Sequence, residues 1–174
     1  LRIIEQNAQV EDHVRLRPGC VHVLAQAMAS SSRSIRWQLG VLSINWCPSL
    51  IDAVLLQPIW RHHGASSNSI SAAGDTNVPI WSNAVDHEGV VSLQVPGALA
   101  KKDRIAKLKA SSPGTAVIYI GDSSTDLAAL VEADIGILIG YSKSTVAIAE
   151  RWGIKVVPLS RRLSRMMETQ GTSR

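Results

Sequence analysis

The apolar run Ala116-Val117-Ile118-Tyr119-Ile120 stops at Gly121-Asp122-Ser123-Ser124-Thr125-Asp126 and continues into Leu127-Ala128-Ala129-Leu130-Val131. A short, β-branched, continuously apolar run reads as a strand buried on both faces, and the small polar residues that end it read as a tight turn. Ser123, Ser124 and Thr125 offer helix-capping hydroxyls, and Leu127, Leu130 and Val131 follow at helical spacing. Strand, turn and helix in that order form the unit of a parallel α/β sheet. The turn then lies at the carboxyl end of the strand, where ligands of open sheets bind. Asp122 falls at the strand tip and Asp126 in the first helical turn. Two carboxylates beside backbone N–H groups suit a hard cation such as Mg²⁺ shared with a phosphate. Taken alone, the same residues also serve as a helix cap and a solvated first-turn acid.

The neighbouring segments repeat the pattern. Gln38 to Trp46 reads as a second buried strand with small polar residues, Ser43 and Asn45, at its end. A helix follows with Pro48 near its first position and Leu50, Ile51, Val54 and Leu55 on one face. Pro58 to Pro79 loses periodicity and is expected as a long connection, with His62 and His63 as exposed loop residues. Ile80–Ala84 and Val90–Val95 flank Asp86-His87-Glu88-Gly89, which has the composition of a hairpin loop. Lys101 to Ala110 is an amphipathic helix with Ile105 and Leu108 inward and five basic residues around it. Ile135 to Ile139 reads as a strand, Ser144 to Trp152 as a helix stopped by Gly153, and Ile154 to Val157 as a further strand before Pro158. Upstream, residues 1–16 are an irregular lead-in, Cys20 to Met28 a helix with His22 on its surface, and Ser30 to Ser34 a loop. Strands alternating with helices imply an α/β, Rossmann-like three-layer sandwich with a mainly parallel sheet. Residues 1–160 are expected as one core domain and residues 161–174 as a basic tail.

Composition narrows the partners. At 174 residues and 45% hydrophobic, the chain has the length of one domain with a sizeable core. The longest apolar runs are shorter than the roughly 20 residues a bilayer demands, and no basic, apolar leader opens the chain, so the expectation is a cytoplasmic protein without a membrane partner. Lys+Arg 18 against Asp+Glu 14 gives a formal +4. The excess, concentrated in Lys101–Lys109 and Arg161–Arg174, lacks interleaved aromatics, which argues against nucleic acid and leaves small phosphorylated metabolites as the expected partners. Cys20 and Cys47 sit in apolar surroundings with no Cys-x-x-Cys or His cluster, as reduced thiols do.

A hydroxyl (Ser43), a lysine (Lys101 or Lys102) and two carboxylates (Asp122, Asp126), each at a strand end or helix start, together compose a phosphate station. Val41-Leu42-Ser43-Ile44-Asn45, the Lys101/Lys102 helix and Tyr119-Ile120-Gly121-Asp122-Ser123-Ser124-Thr125-Asp126 resemble the second, third and fourth motifs of the haloacid dehalogenase-like (HAD) hydrolase superfamily. More narrowly, Ser43 to Cys47, Leu50-Ile51, Ser82-Asn83, Tyr119 to Ile137 and Gly153 to Leu159 resemble the phosphatase domain of plant and fungal thiamine-salvage enzymes. The resemblance implies a HAD-like core and Mg²⁺-dependent hydrolysis of a small phosphomonoester such as thiamine monophosphate. It also implies fusion to, or pairing with, a thiaminase-like domain. By it, Ser43 and Asn45 bind the phosphoryl group and one lysine, Lys101 by its helical offset to Ile105 and Leu108 or else Lys102, stabilises the phosphorylated intermediate. Asp122 ligates Mg²⁺, and Asp126 supports the site from behind.

One motif is missing. HAD enzymes attack with the first aspartate of an Asp-x-Asp pair, and no Asp-x-Asp occurs in these 174 residues. The expectation is therefore a core without its first strand and most of its cap, residues 1–16 being a remnant of that cap, and without turnover on its own. The rival is a catalytically silent phosphate- or metabolite-binding module. A response-regulator-like or nucleotide-binding α/β domain leaves Ser43 and Lys101 unexplained together.

Overall fold

The computed structural model describes residues 14–29, 36–62 and 78–160. The chain divides into two compact units, Leu1–Pro96 and Gly97–Arg174. The lead-in through residue 13, the serine loop at 30–35, His63, the connection at 63–77 and the tail at 161–174 lie outside the described residues.

In the first unit, α1 (Cys20–Ala29) precedes β1 (Val41–Leu42). A helical stretch follows, made of α2 (Pro48–Ile51), a π-helical segment (Asp52–Leu56) and α3 (Gln57–His62). The expected strand over Gln38–Trp46 is cut to two half-buried residues because local side chains capture the backbone beyond it. The Asn45 N–H donates to Ser43 Oγ at 3.1 Å and the Cys47 N–H to Asn45 Oδ1 at 2.8 Å, turns that compete with a sheet ladder. Pro48 opens α2 as expected. The helix then runs past Pro58, where a loop was expected. Helical bonding widens there to Gln57 N–H donating to Asp52 O, and a proline, lacking an N–H, is tolerated in the first turn after such an interruption.

Ala25, Leu56, Ile59 and Trp60 form the buried core of this unit, with Val21, Leu24, Met28 and Val41 packed against it. His22 and His62 are exposed and meet in a tilted ring contact with centroids 5.7 Å apart. Cys20 and Cys47 are half-buried free thiols, and burial raises the pKa of Cys20.

Strand β2 (Ile80–Trp81) pairs in parallel with β1 in the register Val41↔Ile80 and Leu42↔Trp81. The hairpin takes only β3 (Ala84–Val85) and β4 (Val91–Ser92), which are antiparallel, so Ile80 and Trp81 belong to a different sheet from the one expected. Its turn is set by Asp86 Oδ1, which accepts the N–H groups of Glu88 and Val90 at 2.9 Å each, and by Gly89 at φ +82.

The second unit opens with α4 (Ala98–Ser111), which begins three residues before the expected start and buries Lys101 and Ile105, with Leu108 only half-buried. Strand β5 (Ile118–Gly121) pairs in parallel with β6 (Ile135–Leu138), Ile118 opposite Ile135 and Gly121 opposite Leu138. Between them come a 3₁₀ turn (Ser124–Asp126) and α5 (Leu127–Glu132). Contrary to the expectation of a strand buried on both faces, Tyr119 is buried while Ile118 and Ile120 are exposed. In a sheet described by two strands, alternation leaves one face outward.

Helix α6 (Lys143–Arg151) is capped by Ser142, whose Oγ accepts the Thr145 N–H at 3.2 Å. It ends at Gly153 with φ +70, and the Ile154 N–H bonds back to Ala149 O at 2.8 Å. Residues 154–157 form no strand, with Val156 and Val157 exposed. Among the described residues there are thus two parallel pairs and one antiparallel hairpin, a mixed α/β fold. No described helix is long and apolar enough to cross a membrane.

At one end of β5 the Val117 N–H donates to Asp134 Oδ2 at 2.7 Å, and Lys109 Nζ meets Asp134 Oδ1 at 2.9 Å and Glu132 O at 3.0 Å. That clip holds α4, α5 and the start of β6 together. Gly136 lets α5 lie directly on β6, since a Cβ there would stand 2.2 Å from the Leu130 carbonyl oxygen. Gly136→Ala must therefore push backbone against backbone and is expected to destabilise the second unit by about 3 kcal/mol. Gly97→Ser, where a Cβ meets nothing within 4 Å, should stay within about 0.5 kcal/mol of the parent. Urea midpoints of the two variants compare these costs.

Candidate active site

The turn after β5 is built on the Asp126 carboxylate, which is buried although it is an acid. Its Oδ1 accepts from Lys101 Nζ at 2.6 Å and from the Tyr119 hydroxyl at 2.7 Å. Its Oδ2 accepts the Ser123 hydroxyl at 2.7 Å, the Ser123 N–H at 3.1 Å and the Asp122 N–H at 3.3 Å. The side chain folds back over the strand end, and only glycine fits beneath it: a Cβ on Gly121 would stand 2.5 Å from Asp126 Cβ. The Gly-Asp-Ser-x-x-Asp spacing thus has a local physical reason. The glycine admits the carboxylate, the serine offers two donors, and the aspartate closes the turn it caps.

Burial alone would push the Asp126 carboxyl up. The hydrogen bonds from Lys101, Ser123 and Tyr119, with the Lys101 charge, outweigh it and hold the carboxyl at about 2. Tyr119 moves the other way: burial first, then its bond to Asp126 and the charges of Asp126 and Asp122, raise its phenol far above the ordinary range.

The two candidate lysines differ in setting. The Lys101 side chain is 6% exposed against Asp126, whereas that of Lys102 is 48% exposed and stands 3.9 Å from Glu132. Asp122, at the strand tip, is exposed, while Asp126 has its lone pairs taken by protein donors. Of the pair, Asp122 is the one exposed to solvent. Among the described residues no group of three or more His, Cys, Asp or Glu side chains could hold a metal. Mg²⁺ asks for less than that, since one or two carboxylates with water and phosphate oxygens satisfy it.

Ser43 and Asn45 belong to the first unit, Lys101, Lys102, Asp122 and Asp126 to the second. Ser43 follows β1, its N–H held by Trp81 O at 2.9 Å, and with Asn45 it edges a cavity of about 260 Å³ otherwise lined by Val14, Leu16, Val41, Leu50, Ile51, Val54 and Leu55. The π-helical segment supplies Val54 and Leu55 to that wall. The Ser43 hydroxyl accepts the Asn45 N–H, and Asn45 Oδ1 accepts from Cys47, which leaves the hydroxyl proton and the Asn45 amide NH₂ as donors.

Three contributors carried no assigned role in the sequence. Buried Asn83 donates to Ile44 O at 3.1 Å and to Val95 O at 3.0 Å and accepts the Val95 N–H at 2.8 Å, pinning the Ser43 loop. Ser82 beside it is buried, and among the described residues its Oγ has no hydrogen-bond partner. Tyr119 is the third. The available signals were a Ser-Asn pair ending an apolar run and one hydroxyl inside an otherwise aliphatic strand.

No family model matches the chain. It is 26% identical over 167 residues to the bifunctional TH2 protein, mitochondrial, of Arabidopsis thaliana, a match that covers 90% of this chain and 24% of that protein. The chain thus spans about a quarter of the length of the relative it matches. The likeness fits the resemblance to thiamine-salvage enzymes that the motifs carry.

A carboxyl held at about 2 in the fold contributes stability that is whole above its unfolded value near 3.9 and is lost as the pH falls from about 4 to about 2. Urea unfolding followed from pH 6 to pH 2 should show that loss. In Asp126→Asn the chain should be weaker at pH 6 and the slope below pH 4 shallower. An unchanged slope would assign acid sensitivity to other carboxylates.

Proposed function

We propose that this chain is a HAD-type, Mg²⁺-dependent phosphatase domain for a small phosphomonoester such as thiamine monophosphate, inactive on its own for want of the nucleophile motif. The observation that carries the reading is the buried Lys101–Asp126 pair at a strand tip that also bears an exposed carboxylate, Asp122. The similarity to a bifunctional TH2 protein supports it.

An ammonium has three N–H groups, and among the described residues only Asp126 accepts from Lys101. A charged side chain held by one partner keeps donors for the oxygens of an anion and loses little conformational freedom in binding it. Asp122 would hold Mg²⁺ together with the phosphate's own oxygens, and the ion would withdraw charge from the phosphoryl group. In the first unit, taken by itself, the Ser43 hydroxyl and the Asn45 amide are neutral donors at the edge of an apolar wall, and such donors suit phosphoryl oxygens. Because no Asp-x-Asp lies within the 174 residues, they bind phosphate without attacking it. That feature also favours the second reading, a silent phosphate-binding module.

Calorimetric titration of inorganic phosphate into the chain, with and without Mg²⁺, tests the reading. Saturable binding that requires Mg²⁺ and weakens about tenfold or more in Asp122→Asn is expected, the change removing a charge-assisted contact. Binding indifferent to Mg²⁺ and to Asp122→Asn would refute it. With an aryl phosphate and Mg²⁺ the chain should release no phosphate, and turnover abolished by Asp122→Asn would reveal an unrecognised nucleophile.

A further inference from the structure

Tyr119 occupies the middle of β5, and strand alternation turns it inward while Ile118 and Ile120 face out. Its hydroxyl reaches the same Asp126 oxygen that accepts from Lys101, at 2.7 Å against 2.6 Å. The other oxygen is fastened to the turn by the Ser123 hydroxyl and the Ser123 and Asp122 N–H groups. A carboxylate held at both oxygens cannot swing about its Cβ–Cγ bond. A lysine ammonium, by contrast, is a compact charge on a flexible four-carbon stem whose donors rotate freely unless its acceptor is fixed. Phenylalanine would fill the space and preserve the strand. Among the described residues it would leave Oδ1 with Lys101 as its one hydrogen-bond partner, so that the carboxylate is fastened to the turn at Oδ2 alone and Oδ1 gains freedom to shift with the ammonium. The phenol is also a good donor for this purpose, for its own backbone is locked into the β5–β6 ladder by the pairing of Tyr119 with Gly136.

We propose that Tyr119 is a positioning residue: its phenol fixes the Asp126 oxygen in place, so that the Lys101 ammonium keeps its two remaining N–H groups in one orientation for an anionic oxygen. The inference rests on the phosphoryl-binding reading for what that orientation serves, though not for whether it exists.

The test is ¹H–¹⁵N correlation of lysine ammonium groups in the ¹⁵N-labelled chain at low temperature, with Lys101→Met identifying the Lys101 signal. The parent should give a sharp, slowly exchanging signal for Lys101. In Tyr119→Phe that signal should broaden beyond detection or exchange with water more than tenfold faster, while cooperative thermal unfolding persists. An unchanged signal in Tyr119→Phe, or no ordered signal in the parent, overturns the proposal.

Should Tyr119→Phe fail to fold, Tyr141→Phe grown with 3-fluorotyrosine places a stronger phenol donor at position 119 alone, since the chain holds two tyrosines. Slower Lys101 exchange in that protein upholds the proposal, and exchange equal to that of Tyr141→Phe with ordinary tyrosine overturns it. Adding inorganic phosphate and Mg²⁺ separates the two readings. A Lys101 signal that responds to Tyr119→Phe and not to phosphate leaves the positioning role standing and removes the phosphoryl one.

Discussion

A buried carboxylate must be matched by donors or it costs the fold several kcal/mol, and Asp126 is matched by donors from three separate segments. Lys101 reaches it from α4, Tyr119 from β5, and Asp122 and Ser123 from the turn itself. Removing any one of these leaves the others attached to an under-satisfied charge. The second unit is consequently ordered around a point where a helix, a strand and a turn meet, and Asp122 is presented outward because Asp126 holds its backbone from behind. Such a cluster orders the elements more than it stabilises them, since the attraction within a buried ion pair is largely offset by the desolvation of its charges.

The first unit uses a neutral version of the same device. Asn83 spends its amide on the backbone of Ile44 and Val95, and the Ser43 and Asn45 side chains terminate their own strand by bonding forward along the chain. The outcome is a fixed loop with donors left over at the edge of an apolar cavity. Widening of the helix into a π segment before Pro58 turns Val54 and Leu55 into that cavity's wall. π segments of this kind recur at functional sites.

Much of this was legible in the sequence where the cause is local. The turn at Gly121–Asp126, the helix start at Pro48, the hairpin turn at Asp86–Gly89 and the stop at Gly153 all depend on residues within a few positions of one another. The sequence leaves Lys101 and Lys102 as alternatives, with the helical offset to Ile105 favouring Lys101, and of these Lys101 shares the buried face of α4 with Ile105. Errors arose where a contact distant in sequence, or a local side-chain bond, overrode the pattern. Ser43 and Asn45 shorten a strand that hydrophobicity alone would extend, and Pro58 stands inside a helix because the bonding has already widened. Ile118 and Ile120 look like core residues in a one-dimensional reading, yet they face outward from a two-stranded sheet. The role of Tyr119 depends on a partner 7 residues away and that of Asn83 on partners 12 and 39 residues away, and both depend on burial, which spacing does not encode.

The second unit depends on the coupling between Lys101 and Asp126, and a double-mutant cycle measures it directly. Urea unfolding of the parent, Lys101→Met, Asp126→Asn and the double variant at neutral pH should give a coupling energy of about 2 kcal/mol or more, the double variant recovering much of what either single change loses. Single effects that add to within about 0.5 kcal/mol would show that the two side chains do not depend on each other. The second unit would then need another centre.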